Sequence, residues 1–496
     1  MGQIKNQAIK NSLVSYLGAS IGFINFILLL PYVFSPEQIG LTRLLQNSAS
    51  LIVPFAELGI ISVVLRYYPI YKADTNQKFS FIYSCLGTAF IGFVIFSCSY
   101  VLLKKELSLL FIEKSPLVLE YYYYIIPLVF FIAFTGILEA ISNSLYKTVF
   151  PNFLREVLLR VAVSVLAILF VMNAIDFDEF IRAFVWTYCF PFILLILYLY
   201  RLKEISINFK FISIPMATLK DMATYGIFVL LGSTGHLLVS YIDTIMLGAF
   251  VGLEETGIYV TAFYMAVVIE IPRRSIRQIV VPHIADAWGQ ENTQKINDIY
   301  SKTSINQLII GSLIFLGIWV NIDSIFQLMP NGEAYSAGKF VVLYILISKL
   351  IDMGAGVNGE IIALSPQYRF NMYSILILAG LAIVTNLIFI PLMGINGAAL
   401  ATVISLFLYN FVKYIFIKTR FQLDPFNLNT LKVLIIGGSC LLFINFIPEI
   451  YNPYWSIFIK SLIITLTFTT PIYFLKVSED ANNLVDSFFK TLKKLI

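Results

Sequence analysis

A chain of 496 residues that is 59% hydrophobic and only 13% charged lies outside the range of soluble domains, which run at roughly 45–50% apolar and 25% charged. Apolar stretches of about 20 residues recur to its end, each long enough to cross a bilayer as a helix, so the predicted class is an all-α polytopic membrane protein. The net charge of +5 comes from basic residues set between the apolar stretches, which excludes a nucleic-acid footprint.

Fourteen spans are predicted, at 12–33, 44–70, 79–103, 119–146, 150–173, 181–201, 222–248, 256–282, 303–328, 337–363, 370–391, 395–417, 430–448 and 453–475. The first run is already span-length, which predicts no cleavable signal. In the second span, Glu57 lies at the middle and Arg66 toward the inner end. Tyr121 to Tyr124 stand at the outer mouth of the fourth span and read as an interfacial belt. Glu139 is in that span, and Arg155, Glu156 and Arg160 open the fifth, with both arginines expected to reach for headgroups. Residues 202–221 read as a cytoplasmic linker, and the seventh span carries His236 and Asp243, the histidine expected to be packed and hydrogen-bonded. The four cysteines, Cys85, Cys98, Cys189 and Cys440, fall within apolar stretches and read as small buried hydrophobes.

The eighth span is the most heavily charged. Residues 258–282 hold Glu270, Arg273, Arg274 and Arg277, and intramembrane charge is costly enough to turn toward a bundle interior or a wet cavity. Steps of three and four residues put Glu270, Arg273 and Arg277 on one face, with Arg274 about a quarter turn away. Such a stripe suits an anionic substrate; the competing reading is arginines snorkelling to cytoplasmic headgroups. Pro272 is expected to kink the helix. In the tenth span, Lys349 and Asp352 are three apart, so they pair with each other, line a cavity or carry a coupling ion. Glu360 reads as a partner for an arginine of the eighth span.

Of the 34 lysines and arginines, 26 fall on one side of this topology and six on the other, with Lys349 and Lys460 inside spans. The bias predicts both termini in the cytoplasm. In the tail, 477–496, Leu484, Phe488, Leu492 and Leu495 oppose Lys490, Lys493 and Lys494, as an amphipathic helix on anionic lipid would require. The expected parts are a six-helix bundle at 1–201, the linker at 202–221, a second six-helix bundle at 222–418, two additional helices at 419–476 and the tail at 477–496. A short repeat relates the two halves: Glu37 stands three before Gly40, and Glu254 three before Gly257. No nucleotide motif, metal cluster or Ser/His/Asp constellation is visible, so no enzyme and no cofactor are predicted. Energy would come from an ion gradient or from consumption of the substrate downstream. A lone carboxylate such as Glu57 or Asp352 is a candidate for coupling H+ or Na+.

Three segments in order carry a family resemblance: 30–60 (LPYVFSPEQIGLTRLLQNSASLIVPFAELGI), 241–266 (YIDTIMLGAFVGLEETGIYVTAFYMA) and 390–402 (IPLMGINGAALAT). Together they resemble the polysaccharide transporter branch, including Wzx-type O-antigen flippases, of the multidrug/oligosaccharidyl-lipid/polysaccharide flippase superfamily. The resemblance implies two six-helix bundles around a central cavity, and alternating access of a lipid-linked oligosaccharide in a bacterial inner (plasma) membrane. It implies membrane lipid and polysaccharide assembly proteins as partners. It puts Arg66 on the cavity wall beside Arg273, Arg274 and Arg277 as substrate-binding candidates. Glu57, Glu270, Lys349, Asp352 and Glu360 are the cavity or coupling candidates. The alternative is a cation-coupled multidrug or metabolite antiporter of the same superfamily, which would favour an acidic cavity without arginines.

Overall fold

The computed structural model describes residues 2–206, 212, 214–444, 446, 450–483 and 485–487, and every regular element among them is helical. The chain divides into two compact units, Met1–Gly257 and Ile258–Ile496.

In the first unit, α1 (Gly2–Ile24) runs on through a π-turn at Asn25–Leu29. Then come α2 (Pro36–Ala56), α3 (Ile60–Tyr71), α4 (Thr75–Leu102) and α5 (Ile125–Ser144). A second π-turn, Leu154–Leu158, leads into α6 (Leu159–Val171), followed by α7 (Phe177–Thr187), α8 (Cys189–Arg201) and α9 (Met216–Phe250). The α2 start is fixed locally: the Ser35 hydroxyl accepts from the Gln38 N–H, the Gln38 side chain accepts from the Ser35 N–H, and Pro36 holds the first position. Asp176 caps α7 with the same reciprocal pair, through Glu179, and the Asp74 side chain caps α4 by accepting from the Asn76 and Gln77 N–H groups.

Helices α2 and α3 are together long and apolar enough for one span, and they are bent by 50° where they meet. The break is at Glu57–Leu58–Gly59, where Leu58 (φ 56) and Gly59 (φ 75) are left-handed. Gly59 is required there for a second reason: a Cβ on it would lie 2.4 Å from the Gly226 carbonyl oxygen of α9. A tighter crossing joins the two glycines of the sequence repeat. α10 (Leu253–Val267) begins within this unit, and a Cβ on Gly257 would lie 1.8 Å from the Pro36 carbonyl oxygen. A Cβ on Gly40 would lie 2.0 Å from the Leu253 carbonyl oxygen. The repeat thus marks two helix starts that cross backbone to backbone.

The second unit holds α11 (Glu270–Gly289), α12 (Thr293–Val320), α13 (Lys339–Gly354), α14 (Asn358–Leu364), α15 (Arg369–Phe421), α16 (Leu428–Ile444) and α17 (Pro453–Phe474). The 53 residues of α15 are two antiparallel helices rather than one rod. Gly394 is non-helical (φ 57, ψ −131), and the Thr385 and Ser405 hydroxyls are 2.9 Å apart although a continuous helix would separate them by about 30 Å. α13 packs on α12 and α15, α11 on α12 and α14, and α16 and α17 on α12. Leu431, Leu434, Phe458, Leu462 and Leu466 leave the outer faces of α16 and α17 exposed and apolar, as lipid requires.

Each of the fourteen expected spans falls on a helix or on a run of broken ones. Among the described residues, nine helices are long and apolar enough to cross a membrane, or ten with α2 and α3 taken as one span. The chain is therefore a multi-pass membrane protein, with nine or ten such spans among the described residues against the fourteen expected. Residues 207–211 and 213 of the linker, and Leu484 and 488–496 of the amphipathic tail, lie outside the described residues.

Four local expectations are corrected, the first being Cys98, which is exposed rather than buried. Tyr121 and Tyr122 are buried rather than interfacial, with Tyr122 stacked on Tyr100 at 4.3 Å and each hydroxyl donating to the other's carbonyl oxygen. Arg155 and Arg160 are held in ion pairs rather than left to headgroups alone, Arg155 to Glu139 (3.1 Å) and Arg160 to Glu156 (2.8 Å), with the Arg155 side chain still 56% exposed. His236 is exposed.

Candidate functional site

The charged face of the second unit is built by three helix interruptions. Pro272 has no N–H to give the Val268 carbonyl, the partner four residues back in a regular helix. The chain breaks there between α10 and α11, bridged by short-range bonds from the Ile269 N–H to the Ala266 carbonyl and from the Ile271 N–H to the Val268 carbonyl. Glu270 and the three arginines follow on α11. The second interruption, 355–357 between α13 and α14, includes Gly356 at φ 63, and the Ser304 hydroxyl donates to the Gly354 carbonyl. Asp352 is therefore in the last turn of α13 and Glu360 in the first turn of α14, where the helix dipole favours negative charge. The third is the reversal at Gly394, which brings the second half of α15 back along α13 and α14.

A buried core anchors these elements. Ile284 and Ala287 of α11, Val357, Ile361 and Ile362 at α14, Ile417 of α15, and Ile296 and Tyr300 of α12 pack together. The Trp288 indole N–H donates to the Ile361 carbonyl oxygen at 3.2 Å, and Phe370 stacks on Phe416 at 3.7 Å.

Above this core the charges interlock. Arg273 pairs with Asp352, Arg277 with Glu360 (2.6 Å) and Lys349 with Glu270 (2.7 Å). Arg274 reaches Glu270 at 3.4 Å. The adjacent Lys349 and Asp352 thus pair with α11 rather than with each other: two residues near one helix end lie opposite a neighbour of mixed charge, and each takes the opposite sign. Arg273 is half-buried, whereas the Arg277 and Arg274 side chains are 65% and 73% exposed. The exposed ends of this face can therefore meet a ligand while its carboxylates stay enclosed.

Sequence reasoning passed over α15. Lys413 is only 3% exposed, and its ammonium donates to the Tyr409 hydroxyl and stands 4.0 Å from that ring's centroid. The Asn358 amide donates to the Asn410 side-chain oxygen (2.8 Å), and the Asn410 amide donates to Asp352 Oδ1 (3.2 Å). The signal was available: Asn410 and Lys413 are three apart in an apolar stretch, hence on one face. Counted whole, the cluster sets five cations, Arg273, Arg274, Arg277, Lys349 and Lys413, against three carboxylates, Glu270, Asp352 and Glu360.

Two of the candidates, Glu57 and Arg66, belong to the first unit. Glu57 is 4% exposed at the α2–α3 break, and its carboxylate accepts the Ile61 N–H at 2.7 Å. It makes no ion pair among the described residues. Arg66 lies over the Tyr225 ring at 4.2 Å and is exposed.

Comparison with known proteins agrees with this architecture. The chain is 23% identical over 242 residues to the probable low-salt glycan biosynthesis flippase Agl15 of Haloferax volcanii, a match spanning 48% of this chain and 50% of that one. It is 19% identical over 447 residues to an uncharacterized membrane protein of Methanocaldococcus jannaschii, with 84% of each chain covered. Among solved structures, its fold is similar to that of the lipid II flippase MurJ in an inward closed conformation (TM-score 0.74, 14% identity, 95% of this chain and 100% of that one). It is also similar to an inward-facing multidrug resistance MATE family transporter of the MOP superfamily (TM-score 0.63, 16% identity, 82% and 94% covered). The family described as polysaccharide biosynthesis protein matches residues 4–288, more than half of the chain, and the chain belongs to that family, the polysaccharide-transporter branch of the superfamily its sequence resembles.

Proposed function

We propose that this chain flips a lipid-linked oligosaccharide, carried on undecaprenyl pyrophosphate, across the inner (plasma) membrane by alternating access, for O-antigen, capsule or exopolysaccharide synthesis. The observation that carries this reading is the surplus of cations over carboxylates on membrane-spanning helices of one unit. A pyrophosphate diester brings a matching pair of negative charges. Arginine suits it, because a planar guanidinium bonds two oxygens at once and stays charged. The family membership and the flippase fold support the same reading, and a cationic face opposes the alternative of a cation-coupled antiporter. In cells lacking the chain, lipid-linked repeat units should accumulate on the cytoplasmic leaflet, protected from an impermeant glycan oxidant until the membrane is broken. Unchanged exposure of those units at the outer surface would refute flipping.

Arg273 and Arg277 contact the pyrophosphate in this scheme, with Arg274 beside them on α11, and Arg66 is a separate substrate-binding candidate of the first unit. Both termini are cytoplasmic, following the basic-residue bias. Reporter fusions after Lys203 and after Glu254 should therefore read opposite sides of the membrane; the same side from both would overturn this topology.

The coupling ion, H+ or Na+, is assigned to Glu57. Asp352 is held by Arg273, whereas Glu57 is enclosed without a cationic partner in ion-pair reach among the described residues. Glu57→Gln keeps an oxygen to accept the Ile61 N–H, so the helix break should persist while gradient-dependent transport is lost. Wild-type transport by this variant in energised vesicles would move the coupling elsewhere.

A further inference from the structure

We propose that Lys413 is the reserve counter-ion of the cluster: when an anion draws Arg273 and Arg277 away, Asp352 and Glu360 pass to Lys413. The inference rests on the anion-binding reading above and adds to it the step by which occupied arginines become available.

The difficulty it resolves is electrostatic. Arg273 and Arg277 are already engaged by Asp352 and Glu360. Both carboxylates are enclosed, with side-chain exposures of 14% and 9%. Removing one partner from a buried pair leaves an uncompensated charge in low dielectric, which is strongly unfavourable. Binding an anion at these arginines would strand two carboxylates unless another cation were within reach.

Lys413 has the properties of that cation. It is more deeply enclosed than any arginine of the cluster, and among the described residues it has no carboxylate within ion-pair distance. Its ammonium rests on the neutral Tyr409 hydroxyl. The charged groups acting on it are Asp352, Glu360, Arg273 and Arg277, the four members of the two exchangeable pairs. Its ammonium also stands close to the start of α14: a Cβ on Gly359 would lie 3.2 Å from Lys413 Nζ. Gly359 adjoins Glu360 in sequence, and Asn410, one turn before Lys413, already holds Asp352 Oδ1. A lysine on a flexible stem, with three rotatable donors, can move between a tyrosine and two carboxylates by side-chain rotation alone. Lys413 is thus a positioning residue, acting on the anion through the arginines it releases.

The test measures binding of inorganic pyrophosphate to the purified full-length protein by calorimetry, with gel-filtration profiles confirming folding. Lys413→Met removes the charge at similar length and should weaken binding by about tenfold, the size of one modest charge term. Lys413→Arg should bind close to wild type. Neutralising the competing carboxylates in the same chain (Lys413→Met with Asp352→Asn and Glu360→Gln) should restore affinity, because no stranded charge remains. Wild-type affinity in Lys413→Met, combined with loss of binding in Arg273→Ala, Arg277→Ala, would overturn the role of Lys413 and leave the anion site standing. Weak binding that carboxylate neutralisation fails to restore would also overturn it, since Lys413 would then act on the anion or the fold directly. Binding that survives loss of both arginines, or no binding by the wild type, would overturn the anion site and this inference together.

Discussion

A chain carrying Arg273→Ala and Arg277→Ala together is expected to lose glycan export almost completely in a flippase-deficient strain, at wild-type expression. Hydrogen bonds to a charged partner contribute roughly 1.5–3 kcal/mol each. Losing two such contacts lowers affinity by about a hundredfold or more. Arg277→Lys should retain partial function, because it keeps the charge and loses the planar fork. The alanine variants also strand Asp352 and Glu360, so loss of function alone does not separate binding from damage. Adding Asp352→Asn and Glu360→Gln removes that ambiguity. If the arginines bind the anion, the fourfold variant stays inactive although its buried charges are balanced. Full activity of the double alanine variant would refute the cationic pathway.

The charged stripe was legible because helical arithmetic needs only one helix: Glu270, Arg273 and Arg277 repeat at steps of three and four. The pairings were not legible to the same degree. Arithmetic along the tenth span offers Lys349 to Asp352, but in three dimensions each finds a partner on α11 instead. Lys413 was hidden by its position near the end of a span, where a lysine ordinarily counts toward the positive-inside bias. Its burial depends on the reversal at Gly394, an event some twenty residues earlier in the chain. The breaks divide in the same way. Pro272 announces the one before α11, since the missing N–H is written in the residue itself. The break at Glu57–Gly59 depends on α9 passing close enough to exclude any side chain at Gly59, which no local pattern reports. Helix class, by contrast, follows from composition and run length alone, and the described residues hold no other regular element.

The short repeat leads to the second large expected effect. Gly257→Ala should destabilise the purified protein by about 3 kcal/mol or more, the upper end of the range for overpacking. The reason is the nature of the obstacle. A Cβ on Gly257 meets the Pro36 carbonyl oxygen at 1.8 Å, and one on Gly40 meets the Leu253 carbonyl oxygen at 2.0 Å. Backbone cannot rotate aside as a side chain can, so two helix starts must separate. α2 is capped on both sides of this point by Ser35 and Gln38, which leaves little slack to absorb the movement. Small residues at helix crossings in membranes serve this close approach, since packing rather than the hydrophobic effect drives association there. Gly40→Ala and Gly257→Ala open the same crossing, so the double variant should cost little more than either alone. Gly87 of α4 and Gly438 of α16 provide the control, because nothing lies within 4 Å of a Cβ on either. Alanine there should be neutral, or stabilising by up to about 1 kcal/mol through helix propensity. Thermal unfolding in detergent, followed by loss of the monodisperse gel-filtration peak, measures all five variants on one scale. Wild-type stability of Gly257→Ala would mean that the two helix starts do not cross in contact and that the repeat has another cause.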